Sequence, residues 1–375
     1  MFVVYSPKEK AHQPTKEVFE GAFVTHPFEI TQRCDIVLKA LQSAGGYTVI
    51  PEVDHGLPPI LAVHTQAYVD FLRDAWGEWV QRGGGQGRSP SLSPVLLAST
   101  FVPRRSPILS ISSSSSSSSS SSHPPPGASV SAKMGYFSFD TGCPIVEGTY
   151  EAAYSAAQCA LTSADILMRE RRSVFALCRP PGHHAGKDFM GGYCYLNNAS
   201  IAAKYLLSST ISPSEKTRVG ILDLDYHGGN GTQDIFYDSA DPLFVSIHAH
   251  PAEEYPYHVG YEEERGAGEG VGATHNFPLK GKIGDEEYLP AFLEALALIK
   301  KYSPHYIVVS FGADTSAADP LGLFSLSTAF YGKMGSLLAE LNIPCLVVFE
   351  GMERHSFFHT LTQSHFALTP RWLCQ

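Results

Sequence analysis

Residues 219–231 read Val-Gly-Ile-Leu-Asp223-Leu-Asp225-Tyr-His227-Gly-Gly-Asn230-Gly, and the order of residue types in that stretch decides the fold. A short aliphatic run ends abruptly in acids, a histidine and glycines. Apolar positions that do not alternate mark a strand buried on both faces, as in a parallel sheet. Working outward, similar runs occupy 174–178, 243–247, 306–311 and 345–349, with a first strand at 2–5. Longer stretches of helical pattern fall at 29–42, 65–79, 147–169, 197–207, 286–302 and 328–340. Short apolar strands alternating with helices predict an α/β fold: a single open, mainly parallel β-sheet sandwiched by helices.

The residues just beyond each apolar run are as regular as the runs themselves. Cys178 leads into Arg179-Pro-Pro-Gly-His183-His184, Ile247 into His248, Phe311 into Gly-Ala-Asp314, and Phe349 into Glu350-Gly351. In such sheets ligands bind outside the carboxyl ends of the strands. The His and Asp residues gathered there predict a site.

The chain has 375 residues, 43% hydrophobic and 17% charged, enough to bury a sizeable core. From Gly83 to Val130 composition shifts to Gly, Ser and Pro, with eleven consecutive serines at 112–122. Such a tract cannot bury enough apolar surface to fold. We therefore expect one domain over residues 1–351, interrupted by a disordered insertion at 83–130, and an atypical tail at 352–375. Twenty-seven basic against 37 acidic residues give a formal charge of −10. That balance argues against nucleic acid as partner and suits a small cationic one. No run approaches the roughly 18–20 apolar residues of a membrane span. Seven scattered cysteines, an odd number without a C-x-x-C pair, fit a reducing cytoplasm or nucleus.

Asp225 and His227, two positions apart on extended chain, project from one face and can share an ion. Asp314, from a neighbouring strand end, completes an Asp2His set with an open position. Three protein ligands plus a vacancy suit a catalytic metal, zinc first, with Fe(II) or Co(II) compatible with the same donors. An isolated Asp-x-His is usually a hydrogen-bonded pair at a strand end; these neighbours favour the metal. His183 and His184 on a glycine-preceded turn have little packing rationale. Beside a metal they would act as general acid and base, their tautomers held by Asp223 and Asn230. Gly191 and Gly192 let backbone approach a ligand. Tyr193 on one side and Tyr255 with Tyr257 on the other would make a narrow slot for an unbranched alkyl amine.

The ordered motifs RPPGHHAG (179–186), GGYCYLNNA (191–199), LDLDYHGGNGTQDIFY (222–237), VSIH (245–248) and SFGADTSAADPLG (310–322) resemble the zinc-dependent deacetylases of the arginase–deacetylase superfamily. Within it they are similar to acetylpolyamine amidohydrolases and histone-deacetylase-like amidohydrolases. The resemblance implies an amidohydrolase that removes acetyl groups from an acetylpolyamine or acetyl-lysine. It puts one Zn2+ on Asp225, His227 and Asp314, and proton transfer on His184 with His183. It also puts tunnel aromatics at Tyr193 and Tyr255, and a substrate-facing carbonyl at Gly192. A structural monovalent cation, typically K+, would lie at Asp223, Asp225, His227, Ser246 and Ile247. Glu17 matches an acidic residue that meets a distal ammonium, and the family includes homodimers.

The chain departs from that pattern twice. The loop that narrows the entrance and supports dimerisation in the polyamine enzymes is replaced by the Ser-rich insertion. Where most members carry a Glu-Gly-Gly-Tyr segment, residues 350–353 read Glu-Gly-Met-Glu. Glu353 thus stands in place of a Tyr that stabilises the oxyanion, and loss of one such donor costs about 10²–10³ in rate. The alternative expectation is therefore a catalytically impaired metal-binding pseudo-deacetylase, or a chain whose C-terminal end is mis-predicted.

Overall fold

The computed structural model describes residues 1–19, 21–25, 27–83, 95–99, 124, 126–212, 215–319 and 322–351. The expectations for the serine run and for Glu353 with the 352–375 tail lie outside them. Eight strands form the main sheet: β1 (Phe2–Val4), β2 (Thr48–Ile50), β3 (Val174–Ala176), β4 (Val219–Asp223), β5 (Leu243–Ala249), β6 (Thr274–Leu279), β7 (Tyr306–Phe311) and β8 (Cys345–Phe349). Their spatial order is β6-β5-β4-β7-β8-β3-β1-β2, and every neighbouring pair is parallel. The predicted parallel sheet is therefore present. Its edge strands β2 and β6 escaped the sequence reading. β2 is three residues long and half exposed, and β6 carries His275, Asn276 and Pro278 among its apolar positions. A polar edge strand gives no continuous apolar run.

The sheet separates two hydrophobic cores, and the strands divide their residues between them by alternation. On β8, Leu346 and Val348 enter one core while Cys345, Val347 and Phe349 enter the other. Helices Gln66–Gln81, Val130–Phe137, Thr149–Glu170 and Asn198–Leu207 cover the first face. Gln32–Ala44, Asp285–Tyr302 and Thr328–Ala339 cover the second. Within the expected insertion, residues 95–99 belong to the packed body: Val95, Leu96 and Ala98 are buried, and Leu96 bridges to Ile145. These aliphatic residues interrupt the polar tract, which an average over 83–130 hides.

Among the described residues no helix is long and apolar enough to cross a membrane. Cys34, Cys143, Cys159, Cys178, Cys194 and Cys345 are buried free thiols.

Candidate active site

β4, β7, β8 and β3 lie side by side at the sheet's centre, and the loops leaving their carboxyl ends build the site. Asp223 is the last residue of β4, so Asp225 and His227 lie beyond the strand, not on extended chain. They converge for a different reason than the expected i, i+2 projection. Oδ1 of Asp223 accepts from Asp225 N at 3.1 Å, and Oδ1 of Asp225 accepts from His227 N at 2.9 Å. Two successive carboxylate-to-backbone turns coil the loop so that both side chains face the same point. Asp314 arrives from β7, with Oδ1 fixed by Tyr226 N at 3.0 Å.

Ligand-type atoms of Asp225, His227 and Asp314 all lie within 4.8 Å of one another. Nδ1 of His227 is 3.3 Å from an oxygen of each carboxylate. Oδ2 of Asp314 is buried and accepts no hydrogen bond in suitable geometry. Two buried carboxylates at that separation, one with an orphaned oxygen, need a positive charge between them. Glycines keep the space open: a Cβ on Gly351 would lie 2.6 Å from Asp225 Oδ2 and 2.7 Å from Asp314 Oδ2, and one on Gly312 would lie 2.2 Å from Asp225 Oδ2. The donor set and this cradle fit a divalent cation.

The tandem histidines sit beside these residues, ring centroids 3.9 Å apart. His183 Nδ1 donates to Asp223 Oδ2 at 3.1 Å, and His184 Nδ1 donates to Asn230 Oδ1 at 2.7 Å. Both partners are those expected from sequence. Each bond puts a ring proton on Nδ1, and in the neutral ring of His184 this leaves Nε2 as the free base. The two rings differ in charge. Burial opposes ionisation of His183, but Asp225 and Asp223 outweigh it and raise its pKa to about 10. Burial, with His183 and His227 alongside, holds His184 well below the ordinary histidine value. A neutral base next to a charged neighbour is the split environment that divides acid from base roles.

A cavity of about 480 Å³ reaches this point from the surface, lined in part by His183, His184, Gly192, Tyr193, Tyr255 and Tyr257. Tyr255 meets His184 edge-on at 4.9 Å. Tyr257, 55% exposed, stands at the rim. Gly192 is left-handed (φ +51°), and a Cβ there would come 2.4 Å from His184 Cδ2. Ser246 pairs with Asp223 across β5 and β4, with Ile247 the next residue along, so the expected monovalent-cation residues are neighbours. Glu17 is different. It is fully buried and absent from the lining, with Oε1 accepting from Phe28 N at 3.0 Å and a side-chain bond to Tyr193. Burial pushes its pKa up to about 7.

Sequence reasoning missed several groups. Glu350 Oε2 accepts from Gly182 N at 2.6 Å and His183 N at 3.2 Å, holding the turn that carries both histidines. Glu29 and Arg33 line the cavity and pair at 2.7 Å, and Arg33 also donates to the Glu350 carbonyl. Buried Arg179 pairs with Glu29 at 2.7 Å and Glu9 at 2.9 Å. Glu254 and Asp140 are further lining carboxylates. The available signals were the strand-end positions of Arg179 and Glu350 and the Glu29/Arg33 spacing of four on a predicted helix.

Residues 26–366 match the histone deacetylase domain family. The chain is 42% identical to acetylpolyamine amidohydrolase 1 of Pseudomonas aeruginosa, over 94% of this chain and 93% of that protein. It is 36% identical to the acetylpolyamine amidohydrolase of Mycoplana ramosa, over 94% of each. The crystal structure of acetylpolyamine aminohydrolase from Burkholderia pseudomallei superposes with a TM-score of 0.85 at 31% identity, covering 99% of this chain and 98% of that one.

Proposed function

The chain belongs to the histone deacetylase domain family, and from that premise we propose that it is a zinc-dependent amidohydrolase that removes acetyl groups from N-acetylated amines. An acetylpolyamine is the first substrate and acetyl-lysine the second. The observation that carries the reading is the meeting of Asp225, His227 and Asp314 around the orphaned Oδ2 of Asp314. These three residues hold the ion, which when bound polarises the acetyl carbonyl and lowers the pKa of water to near 7.

The chain's own groups do the rest. The slot between Tyr193 and Tyr255 admits an unbranched alkyl chain, and the Gly192 carbonyl receives the substrate amide N–H. His184, kept neutral and oriented by Asn230, takes the proton of the attacking water at Nε2 and returns it to the leaving nitrogen. His183, oriented by Asp223, supports the charge that develops. Asp223, Asp225, His227, Ser246 and Ile247 hold a structural K+, a role supported by the pairing of Asp223 with Ser246.

Because Glu17 stands behind the wall, the distal ammonium of a polyamine meets Glu254 at the rim instead. The same reading treats residues 1–351 as one catalytic domain with a surface insertion, working as a homodimer in cytoplasm or nucleus. The test is amine release from acetylspermidine and from an acetyl-lysine peptide by zinc-loaded protein. Turnover of either supports the proposal, and full zinc occupancy without turnover of either rejects it.

A further inference from the structure

Asp140 is a cavity-lining carboxylate with no role in the site as described. Its charge invites assignment as an anchor for a cationic substrate, but its oxygens are already committed. Oδ1 accepts from Gly142 N at 2.8 Å. Oδ2 accepts both Gly192 N at 2.8 Å and the Tyr255 hydroxyl at 2.6 Å. A carboxylate oxygen has about two lone-pair sites, so Oδ2 is saturated. The donors come from three segments distant in the chain, and the bonds are short and charge-assisted.

Two of those donors border His184. Tyr255 sets its ring edge-on to His184 at 4.9 Å and to His227 at 5.8 Å. Phe139 stacks behind Tyr255 at 5.8 Å and 28°. The tyrosine is thus backed on one side and tied at its hydroxyl. Gly192 leaves no slack, since a Cβ there would reach 2.4 Å from His184 Cδ2 and 2.9 Å from the Tyr255 hydroxyl. The space above His184 is therefore bounded by two groups that share one oxygen as their tether.

We propose that Asp140 is a positioning residue for deacetylation: it fastens the Tyr255 ring and the Gly192 backbone to one point and so sets the width of the slot over His184. This rests on the deacetylase reading for its kinetic consequences, not for its geometry. Asp140 touches no reacting atom and acts through Tyr255 and Gly192.

The experiment compares Tyr255→Phe, Asp140→Ala, the double variant and Asp140→Asn in zinc-loaded protein. Losing one net hydrogen bond corresponds to about 5–10-fold. Tyr255→Phe should raise KM for acetylspermidine by that factor, and Asp140→Ala, which also leaves Gly192 N and Gly142 N without their acceptor, by at least as much, with kcat changed less than about threefold. The double variant should match Asp140→Ala within about twofold, because the hydroxyl has already lost its partner. Asp140→Asn keeps one acceptor oxygen, enough for Gly192 N and the Tyr255 hydroxyl but not also for Gly142 N, and should recover part of the loss, which general destabilisation would not predict.

Crystal structures of the variants provide a readout free of turnover, in which the ring of residue 255 should leave its 4.9 Å contact with His184. Additive effects, or a ring that stays in place, overturn the proposal. If Asp140→Ala does not fold, Tyr255→Phe carries the same two readouts. If the wild type turns over no acetylated amine, the deacetylase reading fails and ring position alone decides this inference.

Discussion

The floor and the rim of the cavity are built in different ways. The floor, Asp225, His227, Asp314, His183 and His184, hangs on loops a few residues past the ends of central parallel strands. Each of its side chains is held by a backbone amide or a buried partner. The rim comes from remote segments: the hairpin of Glu17–Phe19 with Ala22–Val24, the turn at 140–142, and the loop of Tyr255 and Tyr257. An exposed side chain marks it, Tyr257 at 55%. On the proposed function the chemistry sits just beyond the ends of the central strands, and recognition sits on the loops around them. Floor substitutions should lower kcat and rim substitutions should raise KM. A change that crosses this division would break the comparison.

The largest expected effect is at the floor. His184→Ala should lower kcat by about 10²–10⁴, with KM little changed, in steady-state turnover of an acetylated amine. A drop confined to KM would move His184 from the chemistry to binding. Rebuilding the end of the chain, Met352→Gly with Glu353→Tyr, should raise kcat by about 10²–10³ if only an oxyanion donor is missing. No gain, measured against the same substrate, would favour a scaffold role for the domain. Asp223→Asn weakens the orientation of His183 and, with it, the proposed monovalent-cation site. It should cost about 10–100-fold in activity or metal affinity, read by turnover and by metal titration.

The smallest effect belongs to the rim. Glu254→Gln should raise KM for acetylspermidine by about fivefold, since a partly exposed ion pair is worth on the order of 1 kcal/mol. KM for an acetylated monoamine lacking the second ammonium should not move. Equal shifts for both substrates would remove Glu254 from recognition and point back to Glu17.

The same division explains what the sequence disclosed. Strand ends, tandem histidines and the Asp-x-His pair are local patterns, so the sheet, the candidate metal set and the Asp223 and Asn230 partners could be read one segment at a time. Even there the expected i, i+2 projection was imperfect, because nothing local says that β4 stops at Asp223 and that two carboxylate turns then aim the ligands. The Glu29–Arg33–Arg179–Glu9 cluster joins Arg179 to partners 150 or more positions away. The Asp140 tether likewise reaches Gly192 and Tyr255 across distant segments. No spacing in one sequence encodes such pairings. Glu17 shows the converse: its sequence position matches the resemblance, yet it is fully buried, bonded to Phe28 N and Tyr193, and does not line the cavity.

The most direct measurement is zinc binding by the purified apoprotein, followed by calorimetry and by metal analysis after dialysis, for wild type and for Asp314→Ala. The wild type should bind one tight equivalent per chain, and the variant should retain none. A wild type that retains no zinc, or a variant that holds it as well as the wild type, would contradict the proposed metal site.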